Sequence, residues 1–450
     1  MKRHPLRRMA RVAVAAAVLL SPVEVLARVW YVAPGGAGNG TEQAPFGIVQ
    51  TALAAAHPGD TILLRAGTYR EAIRTIRSGL SNAPVTLKGE SGRGPVVITT
   101  GGTVLQIVHS FITVENLVID AAYASRTAAR IGAGTQSVVL RQIEIRRSGR
   151  DCVDIGAARD VLVEDALIHH CLNASAGRTD AHGLVAGAVQ RLTVRGTEIH
   201  TFSGDAIQLN RTGTSEAEGW NDVLIERCRF WLAPLASAEN GFPAGAVTGE
   251  NALDTKVAAT SSRARITIRD TQAWGFRGGL IRLQAAFNLK ENIDAVVDRV
   301  TVWNSEIAFR LRGSDANTSG AWVRIQNAVL YDVGTGIRYE DDIQRLRVWN
   351  TTFGRQIARA FEDVSSAGHA KPDVRNVVFV GRNLPPEAGD GSNLAASQNA
   401  FVDASSDDYR PSAQSALVDA GVAIAEVEVD RAGVNRPQRR ALDVGAYEIK

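Results

Sequence analysis

Along the middle of the chain one pattern of apolar and polar positions recurs. An aliphatic residue is followed by two mostly polar ones, then by two or three alternating apolar positions. It reads VENLVID from Val114, LRQIEIR from Leu140, VEDALIH from Val163 and VRGTEIH from Val194. It continues as IERCRFW from Ile225, IRDTQAW from Ile268, VDRVTVW from Val297, IQNAVLY from Ile325, VWNTTFG from Val348 and VRNVVFV from Val374. Successive starts lie 26, 23, 31, 31, 43, 29, 28, 23 and 26 residues apart. Two-residue alternation marks strands, and a period in the twenties is one coil of a solenoid in which inward residues stack on their equivalents. The pattern predicts an all-β, right-handed parallel β-helix. The polar pair after the first aliphatic residue (Glu115-Asn116, Arg227, Asp270, Asn327, Asn376) suits a sharp corner between strands.

A second phrase lies between the first ones: DCVDIG, HGLVAG, DAIQLN, NALDTK, GLIRLQ, IAFRLR and TGIRYE. Its inward column is expected to be Val153, Leu184, Ile207, Leu253, Ile281, Phe309 and Ile337. The next residue in each coil then faces outward, giving Asp154, Val185, Gln208, Asp254, Arg282, Arg310 and Arg338 on one face. Two positions further on, that face carries Asn210, Lys256, Gln284, Arg312 and Glu340.

The ends divide the chain. Residues 1–27 read as a secretory signal, with basic residues, the short apolar run Val12–Leu20 and small residues before a cut at Arg28. Residues 28–95 form a cap and the first coils; Ala44–Asp60 reads as a short helix closing the open hydrophobic end. Residues 96–385 carry the repeats, and 386–450 an extended tail packed on the last coils. A periplasmic or extracellular, monomeric protein without membrane insertion follows. The net charge of +3 gives no case for nucleic acid. Cys152, Cys171 and Cys228 are expected as buried thiols, with a disulfide pair the lesser option.

The opening WYVAPGGAGNGTEQAPFGIVQTALAAAHPGDTILLRAGTYRE (Trp30–Glu71) resembles the N-terminal cap of exported right-handed β-helix proteins, including polysaccharide lyases of families six and nine. The ending YRPSAQSALVDAG…DVGAYEI resembles the C-terminus of many bacterial members. Family six enzymes use a Lys on one coil as base and an Arg on the next, often with calcium; GENALDTK (Gly249–Lys256) followed by Arg282 is similar to that arrangement. Family nine enzymes cluster aspartates for calcium, which points to Asp151, Asp154, Asp180 and Asp205.

The resemblance implies β-elimination on an acidic, uronate-containing polysaccharide. That chemistry needs the carboxylate neutralised, the C5 proton removed and the departing O4 protonated. Lys256 is the candidate base, Arg282 and Arg310 the carboxylate clamps, and Arg338 and Gln208 further contacts. A calcium ion held by Asp205, Asn251 or Asp254 could share the neutralisation. His182, aligned with Asp151 and Asp205, is a second acid–base candidate, while His169, His170 and His200 occupy positions where later coils carry Trp231, Trp274, Trp303 and Tyr331. Two insertions, Arg211–Asp222 and Leu232–Gly249, flank these residues, and Trp220 is a candidate sugar-stacking platform. Two alternatives stay open: a hydrolase using Asp151 with Asp154 or Asp205 with Asp254, and a non-catalytic protein that binds or guides a polymer during export.

Overall fold

The computed structural model describes residues 27–175, 180–210, 219–257, 263–313, 320–340, 343–365, 368–389 and 391–450. The signal segment, apart from Ala27, and most of the Arg211–Asp222 insertion lie outside these residues.

Short strands, each followed by a corner, wind into three parallel sheets of 13, 13 and 11 strands. All ten starts of the first phrase stack in one register in the first sheet. Val114 pairs with Leu140, then Val163, Val194, Ile225, Ile268, Val297, Ile325, Val348 and Val374 follow in order. Two earlier coils extend the column through Leu87 and Ile62. Every one of these side chains is buried, and they form one continuous core with their equivalents in the other sheets.

The corner after this strand is made by one residue in the left-handed region in each coil: Asn116, Gln142, Asp165, Gly196, Arg227, Asp270, Arg299, Asn327, Asn350 and Asn376, with φ between 43° and 58°. Asn and Asp tolerate that conformation because their short polar side chains bond locally, which explains the polar pair in the repeat. On the last coils the corner asparagines also hold the tail. Nδ2 of Asn327, Asn350 and Asn376 donates to the carbonyls of Val429, Asp443 and Val422 at 3.0, 3.1 and 2.8 Å. The tail is closed by a buried ion pair between Arg436 and Glu448 at 2.8 Å.

At the other end the helix Val49–Ala55 buries Val49, Ala52 and Leu53 on the first coil. Glu71 accepts the Val49 and Gln50 N–H groups at 2.8 and 3.0 Å, satisfying donors that a helix start leaves free. Outside the second sheet, His169, His200, Trp231, Trp274, Trp303 and Tyr331 stack ring on ring, with centroids 4.2 to 6.0 Å apart. Outside the first, Lys88, Glu115, Arg141, Glu164, Arg195, Glu226 and Arg269 alternate in sign along one column. A one-residue slip would break every rung of such a column, so it helps fix register.

The expectation of three thiols is corrected. Cys152 and Cys171 form a disulfide with a Cα–Cα distance of 5.6 Å, and Cys228 alone is free. Cys171 ends the strand Leu167–Cys171 of the second sheet, and Cys152 immediately precedes the strand Val153–Ile155 of the third sheet, earlier in the chain; both are buried. One is stacked beside the other across the interior. Burial pushes the Cys228 thiol up to about 12, so it stays protonated and inert.

Candidate functional site

The outer face of the 11-stranded sheet carries most of the expected residues, with one rung displaced. Val153, Leu184, Ile207 and Leu253 stack as the phrase predicts, and Asp154, Val185, Gln208 and Asp254 follow them on the outside. Leu253 then pairs with Phe287, not Ile281, and Asp254 with Asn288. Phe309 and Ile337 resume the column, with Arg310 and Arg338 beside them. Arg282 is therefore not a ladder residue. It lies exposed in the corner before this strand, where Leu283 takes φ 58° and the Gln284 side chain bridges Gly279 N–H and the Gly249 carbonyl at 2.8 and 3.1 Å. The cation stacked between Lys256 and Arg312 is Lys290, two residues past Asn288 in the strand Ala285–Lys290.

Lys256 and Lys290 converge on one carboxylate. Lys290 Nζ sits 2.8 Å from Asp254 Oδ1 and 3.1 Å from Oδ2, and Asn288 Nδ2 donates to Oδ1 at 2.9 Å. Lys256 Nζ stands further off, 3.6 Å from Oδ2. Asp254 and Lys290 are 6% and 11% exposed at their side chains, whereas Lys256 is 35% exposed, so Lys256 is the cation that solvent or a ligand can reach. Trp220, expected as a stacking platform, is only 1% exposed. Its Nε1 donates to the Lys256 carbonyl at 2.9 Å, so it props the backbone of that lysine and presents no ring to a sugar. The 232–249 insertion folds back over earlier coils, with Leu235 and Phe242 against Leu172 and Tyr123.

His182, Asp205 and Asn251 occupy a different column, two residues before the inward one. There each side chain takes a backbone N–H from the following coil. Asp151 Oδ1 accepts from His182 at 3.1 Å, His182 Nδ1 from Asp205 at 2.8 Å, Asp205 Oδ1 from Asn251 at 3.1 Å, and Asn251 Oδ1 from Ala285 at 3.0 Å. A ring nitrogen that accepts an N–H carries no proton, so neutral His182 is protonated at Nε2; burial also lowers its pKa. These groups satisfy backbone donors in a buried seam, a structural duty that the repeat alone does not reveal.

The same bonds occupy the oxygens expected to hold calcium. Asp205 also accepts from Asn251 Nδ2 at 2.8 Å and from Gln208 Nε2 at 3.0 Å. With Asp254 held by Lys290 and Asn288, the oxygens proposed for calcium all face N–H donors. As arranged, Asp205, Asn251 and Asp254 do not fit a hard cation that takes six to eight oxygens. Among the described residues no group of three acidic, histidine or cysteine side chains is arranged to hold a metal.

Asp205 has the most displaced carboxyl of the seam. Burial, and then the charge of Asp254, push it up to about 7. A carboxyl whose folded value is raised lends stability that is complete below its unfolded value and is lost as pH rises through the folded one. Stability should therefore fall as pH rises from about 4 to about 7, and Asp205→Asn should flatten that fall. Urea unfolding of both proteins across this window checks it. A variant whose stability falls as steeply as the parent's would show that Asp205 is ionised throughout.

Farther along the face, Glu340 gathers three arginines: Arg310 and Arg312 at 3.1 and 3.0 Å, and Arg338 at 3.6 Å. Arg338 also pairs with Glu362 at 2.9 Å.

No known family matches the sequence, and no curated protein does. Solved structures do. Pectate lyase Pel9A superposes with a TM-score of 0.56 at 17% identity, covering 94% of this chain and 96% of that one. A rhamnogalacturonan lyase gives 0.54 at 12% identity over 84% of this chain and 91% of its own. XylC in complex with xylose gives 0.50 at 9% over 94% and 98%. Likeness at such identities speaks for architecture alone, and with three long parallel sheets it makes the chain a right-handed parallel β-helix.

Proposed function

We propose that this chain acts on carbohydrate, cleaving an acidic, uronate-containing polysaccharide by β-elimination on the outer face of the 11-stranded sheet. The observation that carries this reading is the meeting of Lys256 and Lys290, from successive coils, on the buried Asp254. Asp254 holds Lys290 in place, and its buried ammonium adds positive charge beneath the face on which a sugar carboxylate would lie. Lys256, reachable and pinned through its backbone by Trp220, takes the C5 proton on the Nζ lone pair of its neutral amine form. The electron pair forms the C4=C5 double bond, the C4–O4 bond breaks, and O4 leaves with a proton from solvent. Positive charge held ready where the carboxylate gains electron density lowers the barrier without a metal in this scheme.

A second reading has one observation in its favour. Asp205, pushed up to about 7 by burial and then by the charge of Asp254, is the kind of carboxyl that serves as general acid in hydrolysis. At 1% exposure Asp205 has poor access to a glycosidic oxygen, which is why elimination ranks first.

The disulfide agrees with an exported protein, since such bonds persist in oxidising compartments. No helix among the described residues is long and apolar enough to cross a membrane.

Protein incubated with polygalacturonate, alginate, chondroitin, dermatan, heparosan or hyaluronan should release unsaturated uronate from at least one, read by its ultraviolet absorbance. Chelator should not slow the release. New reducing ends without that absorbance would favour hydrolysis, and no cleavage of any polymer by folded protein would leave a binding role.

A further inference from the structure

The cations continue past the reacting coils. Lys256, Lys290 and Arg312 form one outer column, and Arg310 and Arg338 form the column beside it. Four successive coils thus each present at least one. Neighbouring coils are stacked about 4.8 Å apart, close to the length of one pyranose unit in an extended glycan. Among the described residues, few carboxylates pair with these cations. Asp254 serves both lysines, Glu340 serves Arg310, Arg312 and Arg338, and Glu362 serves Arg338 and Arg359. Among the described residues six cations share three carboxylates, which leaves an excess of positive charge among them. Arg312 is also the most open of the three arginines on Glu340, at 44% exposed.

We propose that these coils form a track for a polymer with a carboxylate on every sugar, each rung meeting one charge. The proposal rests on the reading that this face holds the substrate. A glycan charged only on alternate sugars would match every second rung and leave the others facing neutral hydroxyls. Glu340 acts in the opposite sense, holding three arginines back from the ligand.

The test is calorimetric binding at low salt of oligogalacturonate and of hyaluronan oligomers of equal length, with Lys256→Ala protein so that turnover does not intrude. Oligogalacturonate should bind at least about tenfold more tightly, with a steeper loss of affinity as salt is raised. Arg310→Gln and Arg338→Gln should each weaken it about threefold to tenfold and make the salt dependence shallower. Glu340→Gln should tighten it, an outcome that loss of folding cannot imitate. Equal affinities for the two oligomers, or indifference to all three substitutions, would mean that the arginines are only an ion-paired support. Tight oligogalacturonate binding by the parent protein without unsaturated product would instead overturn elimination and leave the track standing.

Discussion

Lys256→Ala should lower turnover of the acidic polysaccharide by about a thousandfold, within the range lost when a positioned acid–base group is removed. The fold should survive. Lys256 is partly exposed, and its two backbone bonds, from its N–H to the Leu209 carbonyl and from Trp220 Nε1 to its own carbonyl, do not involve the side chain. Thermal unfolding should accordingly shift by no more than a surface substitution does, about 0.5 kcal/mol. Glycan affinity should change modestly, because Lys290, Arg310 and Arg338 remain. Lys256→Arg separates the two duties this side chain could have. It keeps the positive charge, but a guanidinium does not give up its proton and so cannot serve as base. Initial rates on the substrate found active decide between them. An arginine variant that retains most of the turnover would mean that Lys256 acts as a charge, and the base would have to be sought elsewhere.

Most of the coil register was legible because two signals coincide at each turn. In the first sheet an inward aliphatic residue is followed two positions later by a residue fit for the left-handed region, so the ten rungs from Val114 to Val374 could be aligned without structure. The third sheet was readable except at one coil. Gly279–Gln284 alternates apolar and polar residues as a strand does and keeps an even spacing of 28 from its neighbours, yet those residues form a corner. The true strand, Ala285–Lys290, is buried at all six positions, so no exposed polar face marks it. A better signal was present in the side chains. FNLK, FRLR and IRYE keep the same order of apolar and polar positions and LDTK departs from it only at Thr255, so aligning them would have placed Lys290 above Lys256. Trp220 and the Cys152–Cys171 bond were beyond sequence for a different reason. Trp220 follows an insertion of irregular length, and the disulfide needs two inward positions of different sheets to meet, neither of which periodicity constrains. The seam through His182, Asp205 and Asn251 could not be told from a reactive cluster in the sequence, because residues that cap backbone N–H groups are the same types that do chemistry.

Lys290→Met should be the most destabilising of the single changes considered, by about 3 kcal/mol or more at neutral pH. Asp254 is almost wholly buried, and Lys290 spans both of its oxygens at 2.8 and 3.1 Å. Removing one partner of a buried pair leaves a charge with neither water nor counter-ion, which costs far more than the intact pair contributes. Lys256, at 3.6 Å and more exposed, can replace only part of that contact, and in doing so it would be drawn off the position from which it takes a proton. Activity should therefore fall together with stability. One further measurement gives the cause. Asp254→Asn combined with Lys290→Met should recover most of the lost stability while staying inactive, because a neutral amide can bond Asn288 without demanding charge. If the double variant is no more stable than Lys290→Met alone, the loss comes from the packing of the lysine stem between coils, and the ion pair is not what holds this part of the site together.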